Sequence, residues 1–94
     1  MTQNLKQESL NTFRQKHKNE LTELEEKANK HKLIFFADIW TGIIGEPLFT
    51  SFDFDEVFDI AYKYGIDRPH PELTRVGYIE FGLMKKRERI GYIF

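Results

Sequence analysis

Apolar positions recur at steps of three and four through the first third of the chain: Leu10, Phe13, His17, Leu21, Leu24 and Ala28, with Leu5 near the same stripe. That spacing predicts one long amphipathic helix over 4–31. Neither glycine nor proline interrupts the chain between Met1 and Gly42, and Gln, Lys, Glu and Leu are good helix formers. A strict heptad fails: with Leu10, His17, Leu24 and His31 at one seam position, the complementary positions are Phe13, Glu20 and Lys27. A long coiled coil is therefore disfavoured.

The period then changes. Leu33-Ile34-Phe35-Phe36-Ala37-Asp38-Ile39-Trp40 is apolar at both parities, which predicts a central strand covered on both faces. Thr41 to Pro47 reads as a turn, and Leu48 to Phe52 as the second arm of a hairpin. Asp53 with Glu56 has the capping-box spacing, and Phe54, Val57, Phe58, Ala61 and Tyr62 supply the apolar face of a second helix. Gly65 is expected to end that helix as a left-handed residue. Asp67-Arg68-Pro69-His70-Pro71 breaks regular structure.

Near the C-terminus Arg75-Val76-Gly77-Tyr78-Ile79 recurs as Arg89-Ile90-Gly91-Tyr92-Ile93. This reads as a hairpin whose arms carry similar residues. With Lys85 at the tip, Tyr78 would oppose Tyr92, Val76 would oppose Phe94, and Ile79 would oppose Gly91. The order is α-β-β-α-β-β: an α+β fold in a single domain over 1–94. It comprises the long helix (4–31) and a ββαββ core (33–94), with a four-stranded, mainly antiparallel sheet. The final strand is expected at a sheet edge.

Composition narrows the chemistry. The chain has 94 residues, 40% of them hydrophobic and 31% charged, so a folded core is expected rather than disorder. The absence of cysteine removes disulfides, thiolate metal sites and cysteine nucleophiles. The run Leu33–Ala37 is far too short to cross a bilayer, and no apolar leader follows Met1. A cytoplasmic protein with no membrane partner is the expectation. Lys, Phe and Ile are common and Ala and Pro sparse, a usage suited to a bacterial or phage accessory protein. The net charge of −1 conceals a basic first third, an acidic centre over 33–72 and a basic end over 73–94.

No constellation of nucleophile, base and oxyanion donor is present, so the chain reads as no enzyme, with no cofactor and no metal. His70 with Glu72 is the one acid–base pair the spacing suggests. The acidic group Asp53, Asp55, Glu56 and Asp59, with Asp38 and Glu46 upstream, invites a metal reading, but the EF-hand pattern is absent and helix capping already explains Asp53, Asp55 and Glu56. Gly42-Ile43-Ile44-Gly45 has the outline of a nucleotide-clamping GXXG loop but lies between strands. The function expected first is a small non-enzymatic interaction protein that binds, and in one form inhibits, another macromolecule, as an inhibitor, immunity or phage anti-defence adaptor would; the partner expected is another protein, and the assembly a homodimer. Trp40, Ile43 and Ile44 would anchor that contact, and Asp55 and Asp59 would steer it. The alternative is a nucleic-acid-binding regulator using the basic hairpin tip, through Lys85, Lys86, Arg87 and Arg89 with Tyr78 and Tyr92.

Overall fold

The computed structural model describes residues 2–40, 48–82 and 85–94. Ile43 and Ile44, with the rest of the 41–47 turn, lie outside the described residues. The elements are α1 (Thr2–Lys16), α2 (Lys18–Asn29), β1 (Leu33–Ile39), β2 (Phe49–Ser51), α3 (Phe54–Gly65), β3 (Thr74–Glu80) and β4 (Lys86–Tyr92). A short 3-10 turn at Pro71–Leu73 leads into β3. The four-stranded sheet has the order β2-β1-β3-β4, and every neighbouring pair is antiparallel. The α+β architecture expected from the sequence is present, with β1 central and β4 at an edge.

One apolar core lies between the sheet and the helices. Leu33, Phe35 and Ala37 from β1 and Val76 from β3 meet Phe54, Val57, Phe58 and Ala61 from α3. Leu10, Phe13, Leu21, Leu24 and Ala28 close it from the first two helices. Aromatic rings organise the centre, with Phe54 edge-on to Phe35 at 5.3 Å and stacked on Phe13 at 5.7 Å. Edge-to-face and offset contacts of this kind add to the area term.

The single helix predicted over 4–31 is instead two, divided at His17, whose φ of −113° and ψ of 27° leave the helical region. The apolar stripe itself is as predicted. The bend seats the His17 ring beside Gly91 of β4 and against Phe13, 4.4 Å between centroids. It also lets Arg14 reach Glu25 across the bend with two hydrogen bonds of 2.8 and 3.2 Å.

The start of α3 differs in detail from the predicted capping box. Asp53 Oδ1 accepts from the Asp55 amide at 3.0 Å, as an N-cap should. The Asp53 amide, however, donates to Ser51 Oγ at 3.1 Å, and Glu56 accepts from that hydroxyl at 3.4 Å. Serine thus stands between the two ends of the box. Nor is Gly65 left-handed; among the described residues the non-glycine residue with positive φ is His31, at 57°. Gly65 is needed for space, because a Cβ there would sit 2.3 Å from Thr74 Oγ1 and 2.9 Å from the Phe94 ring.

The C-terminal hairpin is offset from the predicted register. Tyr78 opposes Glu88, Ile79 opposes Arg87, and Gly77 opposes Arg89. A bulge follows between Val76 and Gly77, after which Arg75 opposes Tyr92. Glu80 already pairs with Lys86, so Lys85 adjoins β4 and is not the midpoint between the two arms. The bulge places Ile90 and Gly91 on the same side and returns Tyr92 to the opposite one. The two similar pentapeptides therefore do not face one another.

Candidate functional site

Residues directly opposite in an antiparallel pair share a face, so the registers sort every strand position. Leu33, Phe35, Ala37, Val76 and Tyr78 face the helices. Ile34, Phe36, Asp38, Thr50, Arg75, Gly77, Ile79, Arg87, Arg89 and Tyr92 face the other way. Both helical layers lie on the first face. Among the described residues no element covers the second, which corrects the expectation that β1 is sandwiched.

Side chains of the sheet itself replace the missing layer. Asp38 is fully buried on this open face. Arg75 Nε donates to its Oδ1 at 2.6 Å, while Arg75 Nη2 and Arg87 Nη2 donate to Oδ2 at 3.1 and 2.6 Å. Arg87 belongs to the row of Ile79 and Ile34, so reaching Asp38 carries it across the row between. Its guanidinium carbon lies 4.6 Å from the Phe36 ring centre, and Phe36 is only 1% exposed as a result. Arg75 similarly lies 4.5 Å over Trp40. Arg89 lies 5.2 Å over Tyr92 and donates to its hydroxyl at 3.3 Å. The face is a continuous sheet of guanidinium groups on aromatic rings, fixed at its centre by one carboxylate.

This packing depends on Gly77. A Cβ there would stand 2.2 Å from the Glu88 carbonyl oxygen and 2.6 Å from the Phe36 ring. Phe36 occupies the space that a side chain on β3 would fill. The hydrogen bonds to Asp38 hold the Arg75 guanidinium above its ordinary pKa range, against the opposing effect of burial. The Arg75 guanidinium therefore stays charged throughout the accessible pH range.

The sequence-predicted residues divide between the two sides. Trp40, Arg87, Arg89 and Tyr92 come together on the open face. Tyr78 lies on the helical face, where burial pushes its phenol up. Lys86 shares that side, 3.5 Å from Glu88, and Lys85 is exposed at the turn. The basic tip is thus not one patch. Asp55 and Asp59 also belong to the helical side and are already engaged, Asp55 by Arg14 and Asp59 by Lys6 and Lys63. Those lysines hold the Asp59 carboxyl below its usual range. His70 Nδ1 does meet Glu72 at 3.0 Å, but both side chains are largely exposed.

Phe36, Asp38 and Arg75 were missed as site residues. The available signal was Asp38 itself, a carboxylate inside an otherwise apolar central strand, which needs partners to be buried there. A second surface feature, the groove between α1 and the chain end, is lined by Leu5, Glu8, Thr12, Lys16, Tyr62 and Phe94 and has no dominant sign of charge. Among the described residues no cluster of three or more metal-ligating side chains occurs, and no helix is long and apolar enough to cross a membrane. No family model matches the chain, and no curated protein or solved structure is significantly similar to it.

Proposed function

We propose that this chain is a non-enzymatic interaction protein that holds an anionic macromolecule on the helix-free face of its sheet. The observation that carries the reading is an imbalance of charge. Among the described residues, Arg75, Arg87 and Arg89 on that face stand against Asp38 alone, whose oxygens are already taken. On the helical side, by contrast, the carboxylates are paired: Asp55 and Glu25 share Arg14, Asp59 meets Lys6 and Lys63, and Glu80 meets Lys27. Trp, Tyr and Arg are also the residues most enriched where binding energy concentrates. A partner docking here meets rings and guanidinium groups held by intramolecular contacts, so little ordering is left to occur on binding.

Retention on immobilised heparin tests this. Arg89 is exposed, and its contacts are with Tyr92, so Arg89→Glu leaves the fold intact. The variant is expected to elute at clearly lower salt than the parent chain, whereas Lys30→Glu, just beyond α2, leaves elution unchanged. Equal loss from both variants would point to a diffuse field, and no loss from Arg89→Glu would refute the open-face reading.

A further inference from the structure

We infer that the anionic macromolecule is a single-stranded nucleic acid, stacked by its bases on the aromatic–arginine layer, and that Asp38 is the residue that positions this layer. The inference rests on the open-face reading above. Three features of this face lead to it. The face is positive, which suits phosphates. It also offers π-faces at intervals, with Trp40 at one end of β1 and Tyr92 on β4, separated by Arg75. Single-strand binding surfaces combine these two elements, a cationic track for the backbone and ring or guanidinium planes for the bases. An acidic polypeptide would use the charge and leave the planes without a role.

The third feature is the economy of the cluster. A surface that attracted phosphates by charge alone would gain nothing from a buried carboxylate at its centre. Asp38 cancels one positive charge, yet it fixes two guanidinium groups, one reaching across Phe36 and the other lying over Trp40. Arginine is suited to this because its planar fork can bond a carboxylate and lie on a ring at once. Arg87 keeps about a third of its side chain exposed while doing both. Duplex recognition fits less well, since stacked and paired bases present no free faces to a flat sheet.

The chain contains one tryptophan, Trp40, and it lies in this layer, so its fluorescence reports on the site directly. Titration with an oligothymidylate should quench Trp40 saturably. The affinity should fall with salt at a log–log slope near −2, from roughly 0.7 per phosphate for three arginines. Tyr92→Leu should weaken binding roughly tenfold, the lower part of the range for one stacked base. Asp38→Asn should also weaken binding and reduce the quenching, although it makes the face more positive. Circular dichroism checks the fold of that variant, and Tyr92→Leu tests stacking independently of it.

Tighter binding by Asp38→Asn, or no effect of Tyr92→Leu, would overturn the inference in favour of simple charge attraction. So would poly-glutamate binding as tightly as the oligonucleotide at equal charge, or a duplex outcompeting the single strand. In each of these cases heparin retention and its loss in Arg89→Glu would survive. Failure to bind heparin, poly-glutamate and oligonucleotide alike would remove both readings together.

Discussion

The two faces of the sheet bury aromatic rings by different means. On the helical face Phe35 is covered by other rings and by aliphatic side chains from α3. On the open face Phe36, its neighbour in sequence and equally inaccessible, has the guanidinium of Arg87 over its ring. The first arrangement excludes water with close-packed apolar volume. The second does so with an amphipathic chain whose charged end still reaches solvent. Burial alone therefore does not tell the two kinds of surface apart; what covers the ring does.

The largest expected effect comes from truncating each ring. Phe35→Ala should cost about 3–5 kcal/mol, the usual range for a fully packed aromatic. Phe36→Ala should cost about half as much, because Arg87 can settle into the space and water can follow it. Urea denaturation of the pair measures the difference, and equal costs would mean that the arginine layer is as rigid as the helical one.

Gly77→Ala is expected next, at about 2–3 kcal/mol, since the added methyl meets both the Glu88 carbonyl and the Phe36 ring. It should disturb the open face selectively. Trp40 emission should therefore shift in the variant while the far-ultraviolet spectrum of the helices is retained. A variant as stable as the parent would show that β3 and β4 can move apart there without cost.

The smallest effect is expected from the ion pairs of the helical side. Asp59 has a folded-state pKa below the ordinary 3.8 because of Lys6 and then Lys63. Its contribution is present above that ordinary value and is lost as pH falls through the lower folded one. The contribution should be within about 1 kcal/mol, as for other solvent-accessible pairs. Lys6→Met should flatten the acid limb of the stability curve slightly and leave the neutral plateau nearly unchanged. A large change at neutral pH would mean that α1 depends on this contact for its docking.

Much of the helical side was legible in the sequence, because its signals are local and periodic. The stripe from Leu10 to Ala28 and the face of α3 follow from spacing, and Asp53 from its position. The break at His17 was not legible, since what it accommodates, Gly91 and the reach of Arg14 to Glu25, is distant in sequence. The open face was hidden for a related reason. Its members alternate with core residues on three strands, and only the registers bring Asp38 opposite Arg75 and Arg75 opposite Tyr92. The similarity of two pentapeptides suggested a different register, and a bulge that follows from no residue type separated their tyrosines.

The edge strand β4 sets a further condition on how such a chain behaves in a crowded solution. Its outer backbone groups have no neighbour among the described residues, yet Lys86, Arg87, Glu88 and Arg89 place a charge at each successive position before the bulge. An edge of this kind is a poor template for adding strands, because each new rung would have to desolvate or match a charge and then follow an irregular twist. Arg87 and Arg89, two of the cations of the open face, thus also guard this margin of the sheet against indiscriminate strand addition.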